Sequence, residues 1–151
     1  MHDAIWFLDT LTIPHVTGEQ SGGSFSLIEQ YLPTGSVAPL HVQPHEDETF
    51  HVLEGRMTIH VDGEEVTAGP GETVLVPRGT PHALRADEPT HVMLLDVPAG
   101  HDRFFAAMGR PAPERTLPPA LEGPPDMAAM AAAAADARFE ILGPPPFRGF
   151  A

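Results

Sequence analysis

The chain has 151 residues, with 21 acidic against 8 basic side chains, a formal net charge of −13 and no cysteine. Its length suits one domain with a continuous core, and its charge excludes phosphate backbones and anionic lipid surfaces as partners. Without cysteine there are no disulfides, thiolate nucleophiles or Cys-ligated metals, so any metal site must use imidazole, carboxylate or amide oxygen.

The first residues, MHDAIWFLDTLTIPHV, have neither a basic n-region nor a long apolar run, which predicts a soluble, cytoplasmic protein. From Ala4 to about Val97 short apolar and β-branched runs are broken by Gly, Pro or Asp-Gly. They are FSLIEQYLP (25–33), TFHVLEG (49–55), RMTIHVDG (56–63), ETVLVPRG (72–79) and THVMLLDVP (90–98), with Asp62-Gly63 as a hairpin turn. In the first run Phe25, Leu27, Glu29 and Tyr31 share one face, and Ser26, Ile28, Gln30 and Leu32 the other. Evenly spaced strands without intervening helices predict an all-β sandwich or barrel. Phe7, Phe25, Phe50, Met57, Ile59 and Met93 are expected in its interior, filling the core or receiving an aromatic ligand.

After Gly100 the pattern changes. GHDRFFAAMG predicts a short helix with Phe104 and Met108 on one face, packed on the sheet. Residues 111–125 carry six prolines and read as an extended linker. Asp126 is a plausible N-cap for the Ala-rich run MAAMAAAAADARF. That helix suits either a lid or partner-binding role, or simple docking at the domain edge. FEILGPPP then offers an edge strand that Pro144 stops. The expected organisation is a barrel over 1–110, with linker, helix and tail over 111–151 packed on or near it. No internal repeat is present.

Two local motifs carry the chemistry. The first is Gly35, five residues, His41, one residue, Gln43, four residues, Glu48, six residues, Gly55. The second is Gly71, five residues, Pro77, one residue, Gly79, two residues, His82. Together they resemble the two motifs of the cupin family, separated by a 15-residue gap, 56–70, of the family's shortest kind. Gln43 stands where the family usually has His, and Ala86 where it has Asn. The wording around EDETFHVLEG and EILGPPP is similar to bacterial cupins related to quercetin 2,3-dioxygenase.

The resemblance implies a small β-barrel or jelly roll carrying a divalent transition metal (Fe, Ni, Mn, Co or Zn). Its ligands would be His41, Glu48 and His82, with Gln43 in the fourth position, and the protein would be a homodimer. Two imidazoles and one carboxylate suit a metal that keeps open positions for dioxygen and a chelating substrate, and Glu48 could also take a proton from a substrate hydroxyl. An amide oxygen is a weaker donor than imidazole to these metals. Gln43 therefore ligates weakly, yields its place to water, or marks a site that has lost its metal. His45 would lie roughly 13 Å from His41 in a straight strand, so only a bend at Pro44 would let it ligate.

The other histidines carry simpler expectations. His51, His60 and His91 read as surface or pocket-lining positions on strands, while His2, His15 and His101 have no motif support. Glu46 and Asp47 read as solvating the turn. Three function classes follow: a metal-dependent dioxygenase acting on a hydroxylated, flavonol-like aromatic, a non-redox metal-dependent isomerase or cyclase, and a small-molecule-binding module with a degenerate site.

Overall fold

Alternation decides which face of each strand turns inward, and the FSLIEQYLP run shows the choice. In the computed structural model, which describes residues 3–148, Ser26, Ile28, Gln30 and Leu32 of β3 (Ser26–Leu32) are buried. Phe25, Leu27, Glu29 and Tyr31 are half-buried on the other face. Two antiparallel sheets face one another as a jelly roll. The first has seven strands in the order β11 (Arg110–Pro111), β1 (Ile5–Phe7), β2 (Thr10–Val16), β3, β10 (Thr90–Val97), β5 (Asp47–Glu54) and β8 (Thr73–Val76). The second has β12 (Glu140–Gly143), β4 (Val37–Val42), β9 (His82–Ala86), β6 (Met57–Val61) and β7 (Glu64–Ala68).

Between the sheets Ile28, Phe50, Val52, Met57, Ile59 and Leu94 are fully enclosed, and Phe7 packs against them. Phe25 and Met93 depart from the expected interior: both are half-buried on the outward face. The reason is register, since Val92 and Leu94 flank Met93 on β10 and take the inward positions. Asp62 and Gly63 both have positive φ, as a two-residue hairpin requires. Gly55 is fixed more tightly. Its φ is +84°, and a Cβ there would lie 2.2 Å from the Pro89 carbonyl oxygen.

Helix α1 (His101–Met108) packs Phe104 and Phe105 onto this core, edge-on to Phe7. Residues 112–126 form no regular element. Helix α2 (Met127–Asp136) begins at Asp126, whose carboxylate accepts from the Ala129 N–H at 3.0 Å. It buries Met130 and Ala134, and β12 then pairs with the edge of β4. No described helix is long and apolar enough to cross a membrane. His2 and residues 149–151 lie outside the described residues.

Candidate metal centre

The site starts from an irregularity in β4. Its register against β9 runs Ala38↔Leu84 and then His41↔His82, a bulge at Pro39-Leu40. Pro39 cannot donate to the ladder, so the bulge costs no lost N–H bond there, and it re-aims the chain that follows. His41 and His82 thus come opposite each other, with ring centroids 4.2 Å apart.

Each ring is fixed by its own strand. His41 donates its Nδ1–H to the Pro39 carbonyl at 2.8 Å, and His82 its Nδ1–H to the Thr80 carbonyl at 3.0 Å. A carbonyl only accepts, so the proton of each neutral ring sits on Nδ1 and the lone pair on Nε2. Burial, and then the neighbouring His82, push the His41 pKa down to about 3, so this ring stays neutral. The His82 Nε2 is buried, makes no hydrogen bond, and lies 3.7 Å from Glu48 Oε1.

Glu48, on β5, is buried and aligned across the sheet with Asp96 of β10. Its other oxygen, Oε2, accepts the Nδ1–H of His101 at 2.7 Å. Burial opposes ionisation of Glu48, but the charge of His101 and its hydrogen bond to the carboxylate outweigh it. The carboxyl is held well below the usual range. Asp96 goes the other way: burial first, then the Glu48 charge, hold it well above the usual range, so it keeps its proton. At His101 burial works against the charged ring, yet Glu48 prevails and raises its pKa.

Gln43 is buried, and neither of its amide atoms makes a hydrogen bond of ordinary geometry. Glu46 departs from expectation. Only 3% exposed, it does not solvate the turn but lies against the start of α1, where a Cβ on Gly100 would meet its Oε2 at 2.7 Å. Burial raises its pKa. Asp47 does face solvent, paired with Arg78 at 3.1 Å.

All four residues singled out from the motifs are buried, with His41 and His82 ring against ring and His82 3.7 Å from Glu48, and the structure sets beside Glu48 two residues the motifs omit, Asp96 and His101. Donors of Glu48, Asp96 and His101 all lie within 4.8 Å of one another. Asp96 had a signal in the sequence, because it follows Val92 and Leu94 on the inward face of an apolar strand. His101 had none: it reaches the site only because α1 folds back over the sheet. His45 is exposed, with its Nε2 3.3 Å from Arg138. His51 bonds Thr73 and His60 meets the Phe147 ring edge-on. His15 and His91 both bond Glu29 on the outer face of the sheet.

The donor set fits a divalent cation of N/O preference. It offers two imidazole lone pairs held by backbone carbonyls, an ionised carboxylate, and buried polar atoms left without protein partners. His41, Glu48 and His101 border an apolar cavity of about 70 Å³ walled by Phe104, Phe105, Met130 and Phe139.

Residues 28–98 match the Cupin domain family. Over 94 residues the chain is 33% identical to the quercetin 2,3-dioxygenase of Bacillus subtilis, covering 62% of this chain and 28% of that protein. It thus spans under a third of that relative's length. Among solved structures, KdgF from Halomonas sp. superposes with a TM-score of 0.56 at 21% identity, over 62% of this chain and 83% of that one. A conserved protein of unknown function from Streptococcus pyogenes gives 0.53 at 27% identity, over 58% and 73%.

Proposed function

The chain belongs to the cupin superfamily, and from that premise we propose a divalent-metal-dependent dioxygenase acting on a hydroxylated aromatic, flavonol-like small molecule. His41, His82 and Glu48 are its metal ligands. The observation that carries this reading is the burial of His41 and His82 with their rings 4.2 Å apart, and of an ionised Glu48 3.7 Å from the His82 Nε2, beside an apolar cavity. The likeness to quercetin 2,3-dioxygenase supports the substrate class.

When bound, iron, nickel, manganese, cobalt or zinc would supply Lewis acidity and, where redox-active, a place for dioxygen. The chain's own residues do the rest. Glu48, ionised in the buried site, takes the proton from a substrate hydroxyl. Asp96, buried across from Glu48, keeps its proton and so adds no second negative charge beside that carboxylate. Phe104, Phe105 and Phe139 exclude water and offer ring edges and faces to an aromatic substrate.

A cavity of about 70 Å³ is far below the roughly 300–1,000 Å³ of ordinary ligand pockets. A flavonol-sized substrate is therefore admitted only when Met130 and Phe139, on the α2 segment, move outward. The same reading takes the protein as a cytoplasmic homodimer. Half-buried Leu27, Met93 and Leu95, on the outward face of the seven-stranded sheet, form a surface a second copy would cover.

Metal content of untagged protein, measured by inductively coupled plasma mass spectrometry, tests the centre. Near-stoichiometric metal, lost in a His41→Ala, His82→Ala double variant, is expected, together with flavonol-dependent oxygen uptake that a chelator abolishes. Protein that takes up none of the five metals would refute the reading. The small cavity and the Glu48–Asp96 pair favour one second reading, proton-transfer isomerisation of a compact keto compound. Metal-dependent turnover under nitrogen would identify it.

A further inference from the structure

We propose that His101, and not Gln43, supplies the third nitrogen of the metal centre, so that one ligand comes from helix α1. The assignment rests on the metal-dependent reading above and replaces its fourth position.

Two donors bound to one ion at roughly 2.0–2.2 Å must lie close to each other. His101 Nδ1 is 2.7 Å from Glu48 Oε2, and His82 Nε2 is 3.7 Å from Glu48 Oε1. His101 Nδ1 is also 3.9 Å from Asp96. Glu48 thus stands between the ring on β9 and the ring on α1, with one oxygen toward each. Coordination through Nδ1 would displace the proton that His101 shares with Glu48 and release it.

The His101 ring is also fixed in place. It is buried, tilted over Phe105 at 4.6 Å and edge-on to Phe139 at 5.2 Å, with the His41 ring 6.2 Å away. Gln43 is buried, but neither of its amide atoms pairs with Glu48 or with either ring. Glu46 lies against the Gly100 backbone from which His101 springs, so it packs on the start of α1 that carries this imidazole into the site.

Cobalt(II) titration of metal-free protein, followed by calorimetry and visible absorption, tests the assignment. In His101→Phe, which keeps an aromatic ring in the slot, affinity should fall by about 100-fold, at or beyond the upper end of what outer-shell changes cause, and the d–d bands should shift. Gln43→Ala should stay within about threefold of wild type with an unchanged spectrum. Nitrogen hyperfine structure in the copper(II) EPR spectrum of the wild-type protein counts ligands without any variant: three nitrogens are expected. Two nitrogens, wild-type cobalt binding by His101→Phe, or the loss appearing in Gln43→Ala instead, would overturn the assignment while leaving a metal centre. Wild-type protein that binds no metal would remove the metal-dependent reading itself.

Discussion

Asp96 and Glu48 stand directly across two strands on the inward face, an arrangement that costs stability when both are charged. The conflict is resolved by a proton. Burial, and then Glu48, raise the Asp96 pKa well above the usual carboxylate range. A group shifted that way contributes its full stability below the unfolded value and loses it as pH rises through the folded one. Asp96→Asn keeps the shape but cannot ionise. Metal-free Asp96→Asn is therefore expected to match the wild type near pH 4 and to melt several degrees higher near pH 9, at about 2–4 °C per kcal/mol for a domain of this size. Parallel Tm profiles from pH 4 to 9 would contradict the proton assignment. This pairing shows what a linear motif leaves out, since Asp96 lies 48 positions from Glu48 and only the register of β5 and β10 joins them.

At the scale of the element, α2 separates propensity from docking. Its Ala content and the Asp126 cap make a helix legible in the sequence. An almost uniform alanine surface carries no apolar stripe, so the face that docks is chosen by its neighbours, which bury Met130 and Ala134. The turn after the helix then sets Phe139 against His41, His101 and Phe104. Phe139→Ala is expected to cost roughly 3–5 kcal/mol, the usual range for a buried aromatic truncation, and to open the cavity beside the candidate centre. Urea unfolding checks the loss. A change below about 1 kcal/mol would mean that the ring closes nothing. The Pro39 bulge works by a similar logic: the proline is plain in the sequence, but its effect depends on which strand lies opposite.

For the whole molecule, α2, β12 and Phe147 tie the C-terminal segment to the two-sheet core. β12 covers the edge of β4, and Arg85 lies 4.8 Å over the buried Phe147 ring. A chain ended after Arg110 should therefore melt lower and bind a hydrophobic dye, since it bares Phe104, Ala38 and the β4 edge. An unchanged Tm without dye binding would make the tail an appendage. The sequence by itself determined the all-β class, the five central strand runs it named, the hairpin at Asp62-Gly63 and both helices, and it singled out His41, Gln43, Glu48 and His82, all of which are buried. Those features are local, because period-two alternation, turn chemistry and short spacings act within a few residues. Only the tertiary structure decided that Asp96 and His101 join the cluster, that Glu46 is buried, that Phe25 and Met93 face outward and that α2 walls the cavity. Each of these depends on strand register or on a helix folding back across a sheet, and such long-range pairings set burial and donor geometry only once both partners are in place.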